Sequence, residues 1–161
     1  MAQGIRQIEF ELTEAAGRRI DGSVPGVRPR APLRSGPSAL ERWCSAAAEA
    51  PEACLVIDRE HHVLAVSTSW CALLGIADRA TVHGLPLLSV VRLLDFGDGA
   101  ELDDGEAGKI PPLLAIKSRT LARGLVRVPG TNGTPITLDS VATPLLDGET
   151  VAGSLTFFAK L

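Results

Sequence analysis

Asp58 and Asp139 are the side chains of this 161-residue chain that could serve as a catalytic base, since each lies within an apolar segment. A carboxylate acts as a base near neutral pH only when burial raises its pKa. The sequence offers no acid, base and oxyanion donor that converge on either aspartate. A small cofactor-free α+β enzyme with a carboxylate base in an apolar pocket is therefore the alternative function, and it requires one of these aspartates to point inward.

The densest run of carboxylates is DFGDGAELDDGEAG, which starts at Asp95 and ends at Gly108. A calcium loop of the EF-hand type needs oxygen ligands at alternate positions, and Gly97 and Gly99 interrupt that pattern. Asp95-Phe96-Gly97 matches a kinase tripeptide, but the other kinase motifs are missing. Because the six carboxylates have no counter-charge within the run, we predict a mobile acidic loop and no metal site.

The histidines and cysteines do not have the spacing of a metal site. His61 and His62 are adjacent, so their side chains diverge on an extended backbone. Cys44, Cys54 and Cys71 are ten and seventeen residues apart, without a Cys-x-x-Cys pair. They are typical of reduced, mostly buried thiols, which predicts a cytoplasmic protein.

The remaining sequence-level signals exclude several classes of protein. The chain lacks the G-x-S-x-G motif of serine hydrolases, the H-E-x-x-H motif of zinc proteases and the G-x-x-x-x-G-K-[ST] motif of P-loop proteins. We therefore predict no catalytic residues. No apolar run approaches the roughly 18 residues of a membrane span. A net charge of −3 gives no general attraction to nucleic acids or anionic membranes. Membranes and nucleic acids are therefore not expected as partners.

Residues 1–36 are predicted to be an N-terminal extension with a flexible basic linker. Residues 5–16 fit two periods, because Ile8, Phe10 and Leu12 alternate like a strand while other apolar residues fall on one helical face; we favour the strand. Residues 17–37 are rich in Gly, Pro and Ser and carry five arginines against one aspartate. A solvated tether explains this segment better than a nucleic-acid contact, because it has no aromatic residue for base stacking.

A helix is predicted to begin at Ser38, because Pro37 precedes it and Glu41 completes an S-x-x-E capping box. One stripe of this helix is apolar and consists of Leu40, Trp43, Cys44 and Ala47.

The segment 51–76, PEACLVIDREHHVLAVSTSWCALLGI, predicts a strand, a polar turn, a second strand and a capped helix. Residues 53–57 and 63–66 are the strands. Ser67 or Ser69 can cap the helix, and Gly75 can end it in a left-handed conformation.

The second half of the chain predicts helices followed by three strands. One or two short helices lie in residues 77–96, and a long helix begins at the prolines of PPLLAIKSRTLARG and ends at Gly124. The dipeptides Asn132-Gly133 and Asp147-Gly148 predict the turns between the last three strands. In the middle strand, Leu138 shares a face with Ile136, Ser140 and Ala142.

The order of these elements resembles the PAS domain family. Asp58 at the end of the first strand and Leu73-Leu74-Gly75 at the end of the helix match the opening of that family, and residues 122–161 match its closing three strands. Ser67 and Thr68 replace the Asn-Pro pair that is frequent there. The resemblance implies an α+β fold for residues 37–161, with a five-stranded antiparallel sheet, helices on one face and an N-terminal capping helix.

The resemblance also implies a cavity between the sheet and the long helix. Its predicted lining is apolar, which favours a small organic ligand or none, and it consists of Ile57, Trp70, Leu74, Leu113, Ile116, Leu138 and Leu155. The cofactor is unknown. Haem is disfavoured because the long helix has no histidine, although His83 could approach from another side. Covalent flavin is disfavoured because no cysteine lies in an Asn-Cys-Arg-Phe type of motif.

The function implied by the resemblance is that of a non-catalytic cytoplasmic sensor that binds a small ligand or a protein partner. The helix that begins at Ser38 either pairs with its copy in a homodimer or covers its own sheet, and both alternatives remain open at this stage. No output domain follows the last strand, so another signalling protein is the expected partner.

Overall fold

The computed structural model describes residues 36–161, so the predictions for residues 5–16 and for most of the basic linker lie outside the described residues. The helices are α1 (Ala39–Glu49), α2 (Thr68–Leu74), α3 (Leu87–Val90), α4 (Asp104–Ala107) and α5 (Pro111–Ser118), with a 3₁₀ turn at Arg79–Thr81. The strands are β1 (Ala53–Asp58), β2 (Val63–Val66), β3 (Ala122–Pro129), β4 (Pro135–Asp147) and β5 (Thr150–Lys160).

The five strands form one antiparallel sheet in the order β2-β1-β5-β4-β3. The last strand in sequence, β5, lies in the centre and pairs with the first, so Leu55 is opposite Thr156 and Val56 is opposite Leu155. Strands β3, β4 and β5 form a meander, with tight turns in which Gly133 and Gly148 have positive φ. The predicted α+β fold and five-stranded antiparallel sheet are confirmed.

Apolar residues cover both faces of the sheet, because side chains of a strand alternate between them. Leu55 and Ile57 of β1 point to the side of α2, α3 and α5, where they join the larger core with Trp70, Val126 and Leu138. Residues of the opposite parity point to α1 and form a smaller core, which contains Ala47, Cys54, Val56, Leu145 and Leu155. The predicted capping helix is thus α1, on the other face from the remaining helices.

Local capping explains where α1 and α2 begin and end. The Ser38 hydroxyl accepts a hydrogen bond from the Glu41 amide at 3.1 Å, and the Glu41 carboxylate accepts one from the Ser38 amide at 2.6 Å. The Ser67 hydroxyl caps α2 by accepting from the Trp70 amide at 3.1 Å, and Gly75 ends that helix with a φ of 69°. The cap of α2 is therefore Ser67 rather than Ser69.

Two predicted segments differ from the structure. The helix α5 ends at Ser118 rather than Gly124, because Arg119 adopts a left-handed conformation with φ of 59° and β3 already begins at Ala122. The acidic segment is more ordered than a mobile loop, since it contains α4, whose first amides donate to the Asp103 carboxylate. Flanking residues also supply counter-charges, as Arg92 pairs with Glu101 at 2.9 Å and Lys109 with Glu106 at 2.5 Å.

Candidate functional site

The space between the sheet and its helices is almost completely filled. A cavity of about 20 Å³ remains there, and its walls include Leu55, Trp70, Leu87, Leu138 and Phe158. The rings of Trp70 and Phe158 lie 6.5 Å apart at a tilt of 55° and close one side of it. Such a cavity has room for about one water molecule. Small-molecule sites usually need about 300–1,000 Å³, so this conformation is closed to organic ligands.

Six of the seven predicted pocket residues lie in the core between the sheet and α2, α3 and α5, and the seventh lies elsewhere. Trp70, Leu74 and Leu138 line the remaining cavity. Ile57, Leu113 and Ile116 belong to the same core but do not line the cavity. Leu155 is the correction: it is opposite Val56 in the β1–β5 pairing and therefore lies on the other face of the sheet, under α1.

Three buried hydroxyl groups on the helix side of the sheet were missing from the all-apolar prediction. Ser154 donates to the Pro112 carbonyl oxygen at 2.9 Å and ties β5 to α5. The hydroxyl oxygens of Ser140 and Thr156 are fully buried and have no protein partner. Ser140 could have been found from the sequence, because it alternates in phase with Leu138 and Ala142. Burying such a group without a hydrogen bond costs free energy, so these residues are a local weakness of the core.

Most of the apolar stripe of α1 packs on the protein's own sheet. Ala47 is buried, and Leu40 and Cys44 are half-buried against the same small core. Trp43 behaves differently, because 46% of its surface is exposed. Covering its own sheet accounts for three of the four predicted residues, and Trp43 is left for another contact.

Part of the sheet beside α1 has no cover from the described residues. Phe157 and Leu125, which share a face with Val141, are 42% and 51% exposed. Arg123 and Asp139 lie on the same face and form a two-bond ion pair, with N···O distances of 3.1 and 2.5 Å. We call Trp43, Leu125, Val141 and Phe157 the open sheet face. Its apolar side chains alternate with the ion pair, because Asp139 lies opposite Leu125 and Arg123 lies opposite Val141.

The two aspartates considered as bases lie outside the large core. Asp139 pairs with Arg123, and the hydrogen bond and positive charge of that guanidinium lower the pKa of the Asp139 carboxyl. A base in an apolar pocket needs the opposite shift. Asp58 accepts a hydrogen bond from the His62 amide at 2.8 Å and holds the β1–β2 turn together. Neither aspartate therefore has the environment that the enzyme alternative requires.

The other titratable residues considered in the sequence have structural contacts. His62 contacts the Asp58 carboxylate at 3.3 Å, and Nδ1 of His83 lies 2.9 Å from the Leu64 carbonyl oxygen. Within residues 36–161, no three His, Cys, Asp or Glu side chains are grouped so as to hold a metal ion. No helix in that part of the chain is long and apolar enough to cross a membrane.

Comparison with known proteins identifies the fold. No family profile matches the sequence, and no curated protein sequence matches it either. Solved structures do match. The chain is similar to the PAS domain of a protein from Colwellia psychrerythraea, with a TM-score of 0.54 and 17% identity over 76% of this chain and 96% of that one.

Two other similar structures come from larger proteins. The Rhodobacter sphaeroides LOV protein aligns with a TM-score of 0.58 and 15% identity, over 76% of this chain and 66% of that one. VqmA bound to DPO aligns with a TM-score of 0.55 and 14% identity, over 74% of this chain and 57% of that one. The chain thus spans less than two thirds of these two proteins. At such identities the shared property is the fold, and the fold of this chain is that of a PAS domain.

Proposed function

We propose that this PAS-fold domain is a non-catalytic signalling module that acts through a protein contact on its open sheet face. The observation that carries the proposal is the exposure of Trp43, Leu125 and Phe157 beside α1, on a sheet whose opposite face packs against helices. Large apolar side chains that cluster on a surface typically mark an interaction site. Aromatic residues are also the side chains most enriched among the anchors of protein interfaces.

The occupant that we infer for this face is a second copy of the chain. A two-fold symmetric dimer presents the same patch on both subunits, so the patch must be self-complementary. The open sheet face meets that condition, because Arg123 and Asp139 lie side by side and can exchange partners with their copies. The apolar side chains beside this pair then pack against their copies. A different signalling protein with the same chemistry is the competing occupant.

The similar structures support a dimer by analogy. A structure of VqmA from Vibrio cholerae that aligns with a TM-score of 0.55 is that of a dimer in the absence of its target DNA. Another VqmA structure contains the ligand DPO. These properties belong to VqmA. For this chain they make dimerisation, ligand sensing and DNA binding the properties to test.

A ligand signal would require a second conformation of the domain. The interior cavity of about 20 Å³ admits no organic molecule, so a ligand there must bind a state in which α5 or the α2–α3 segment has moved outward. Such a ligand shifts the population only as far as its affinities for the two states differ. A protein contact needs no such opening, and it is therefore the primary function that we propose. The three free thiols are consistent with a reducing compartment, and we propose the cytoplasm.

The experiment is native mass spectrometry of the full chain, together with sedimentation over a range of concentrations. We expect a reversible dimer. Replacing Phe157 by Glu should weaken it about 100-fold, since the loss of an anchor costs about 1.5 kcal/mol in each of the two copies. Leu114→Glu is the matched control, because Leu114 is 38% exposed but lies on α5, on the opposite side of the sheet.

Three results would decide against this proposal. A monomer at all concentrations would exclude the homodimer and favour docking to another protein. A dimer that Phe157→Glu leaves intact would move the interface to another surface. An added mass that is lost on denaturation would show that the domain retains a ligand, and would make ligand sensing the primary function.

A further inference from the structure

A second opening lies on the outer edge of the sheet, away from the interior cavity and from the open sheet face. It is a groove of about 500 Å³ between α1, β2 and the segment that contains the 3₁₀ turn. Its volume lies within the range of small-molecule sites, about 300–1,000 Å³. The groove therefore has room for a small organic molecule without a conformational change.

The groove is open because the flank of α1 that faces it carries small side chains. Cys44, Ser45 and Ala48 form that wall, and the strand β2 forms the floor. Successive helical residues are turned by about 100°, so Trp43 lies on the other flank of α1. A larger residue at Ala48 would fill the space. Most of the surface that a ligand would touch is therefore apolar.

The side chains of Arg79 and His83 form the far wall, and a hydrogen bond holds each of them in position. Arg79 donates from Nη1 to the Ala48 carbonyl oxygen at 3.0 Å, which fixes the guanidinium across the end of α1. His83 contacts the Leu64 carbonyl oxygen through Nδ1 at 2.9 Å. Because a carbonyl only accepts, Nδ1 carries the proton, and Nε2 of the neutral ring is an acceptor. The donors toward a ligand are the other N–H groups of the Arg79 guanidinium.

The charge of the groove is one-sided. Arg79 is the formally charged residue among those that line it, and no carboxylate is among them. The nearby Asp78 carboxylate accepts from the Ala80 amide at 2.8 Å and caps the 3₁₀ turn. A preorganised guanidinium above an apolar floor is complementary to a carboxylate that carries an apolar tail.

We propose that this groove is a binding site for a small amphipathic carboxylate, with the acid group at Arg79 and the apolar tail along β2. The proposal does not depend on the dimer, because the site is formed by one copy of the chain. It adds a ligand to a surface that the interior cavity does not reach. The carboxylate is defined by its chemistry, and octanoate is the probe for the test.

Cys44 supplies the readout, because it lines the groove while Cys54 and Cys71 are buried. Protection of Cys44 from alkylation is measured by peptide mass spectrometry at increasing octanoate concentration. Octan-1-ol and protonated octylamine are the matched probes, with the same tail and no negative charge. We expect octanoate to protect at the lowest concentration and octylamine at the highest.

Variants then assign the protection to the groove. Arg79→Gln should weaken octanoate binding about tenfold, as expected for a lost hydrogen bond to a charged group on a surface, and should leave octan-1-ol unchanged. Ala48→Leu should abolish protection by octanoate, because the larger side chain on the α1 wall would fill the groove above β2. Arg92→Gln is the control, since it removes an exposed arginine at another place. Thermal unfolding shows that each variant is folded.

Three outcomes would overturn the proposal. Equal protection by all three probes would show a nonspecific apolar surface without recognition of the acid. Octanoate protection that persists in both Arg79→Gln and Ala48→Leu, or no protection at all in the folded wild-type chain, would show that the groove is not a carboxylate site. None of these outcomes depends on whether the protein is a dimer, because the oligomeric state is measured separately by mass.

Discussion

Replacing Thr156 by Val should stabilise the protein, although the substitution removes a polar group that looks well buried. The Thr156 hydroxyl oxygen is inaccessible to solvent and has no protein partner, and its residue lies in the central strand β5 opposite Ala142. Val has nearly the same shape. The unfolded state hydrates the hydroxyl group, whereas the folded state leaves it without a hydrogen bond, so its removal favours folding.

The expected gain follows from the cost of an unsatisfied buried hydroxyl group. That cost is about 1–3 kcal/mol, and the low end applies here because a hydroxyl group can rotate toward a weak partner. We therefore expect the free energy of unfolding to rise by about 1 kcal/mol. For a domain of this size, that corresponds to an increase in Tm of about 3–5 °C.

The assay is urea-induced unfolding followed by circular dichroism, with thermal unfolding as the second measurement. Ser154→Ala is the matched control, because its hydroxyl group lies on the same face but donates to the Pro112 carbonyl oxygen. It should lose about 1 kcal/mol, since the hydrogen bond disappears and the carbonyl oxygen is left without a partner. Opposite signs for two neighbouring hydroxyl groups cannot come from a general effect of polarity.

The reasoning fails if Thr156→Val destabilises the protein to the same extent as Ser154→Ala. Thr156 would then have a hydrogen-bond partner in solution. An unchanged m-value is needed for the comparison, because a change would mean that the unfolded or the folded state has altered its compactness.

The remaining predictions address the backbone, a thiol and the N-terminal segment. Gly153→Ala should unfold the protein or lower its free energy of unfolding by more than about 3 kcal/mol, because the added Cβ would overlap the Ile57 carbonyl oxygen in the adjacent strand. A Tm equal to that of the wild type would contradict this prediction. Burial, and to a smaller extent the charge of Glu41, raise the pKa of the Cys44 thiol. Glu41→Gln should therefore lower that pKa and speed the alkylation of Cys44 near pH 8, as followed by mass spectrometry. Gln keeps the capping box, so an unchanged alkylation rate would contradict the effect of the charge. Removal of residues 1–36 should leave weak binding to a mixed-sequence DNA duplex unchanged, whereas a salt-dependent affinity that disappears on truncation would identify the basic segment as a nucleic-acid contact.

Local signals made much of the fold predictable. The capping box at Ser38 and Glu41 and the left-handed Gly75 depend on residues within one helical turn, so the sequence contains all the information that they need. The strands β1 and β2 are predictable for the same reason, since their apolar runs are bounded by polar residues. These elements in their order were sufficient to indicate the PAS fold.

The errors concern features that distant residues decide. Leu155 shares a face of its strand with Phe157, and only the pairing with Val56 shows that this face lies under α1 and not toward the interior cavity. The helix α5 ends early because Arg119 adopts a positive φ, which a residue with a Cβ rarely does. The groove beside β2 was not anticipated either, because it results from small residues on α1 that meet a segment more than 30 positions later.

The position of α1 has a thermodynamic consequence. One flank of this helix forms a wall of the groove, while Trp43 on the other flank belongs to the open sheet face, so two binding events would share one rigid element of about 16 Å. If the two events favour different positions of α1, each must change the affinity of the other by the same factor. Diluting the protein to dissociate a dimer would then change the apparent affinity for octanoate, and adding octanoate would change the dimer dissociation constant by an equal ratio. Equality of these two ratios can be measured without knowing how far the helix moves.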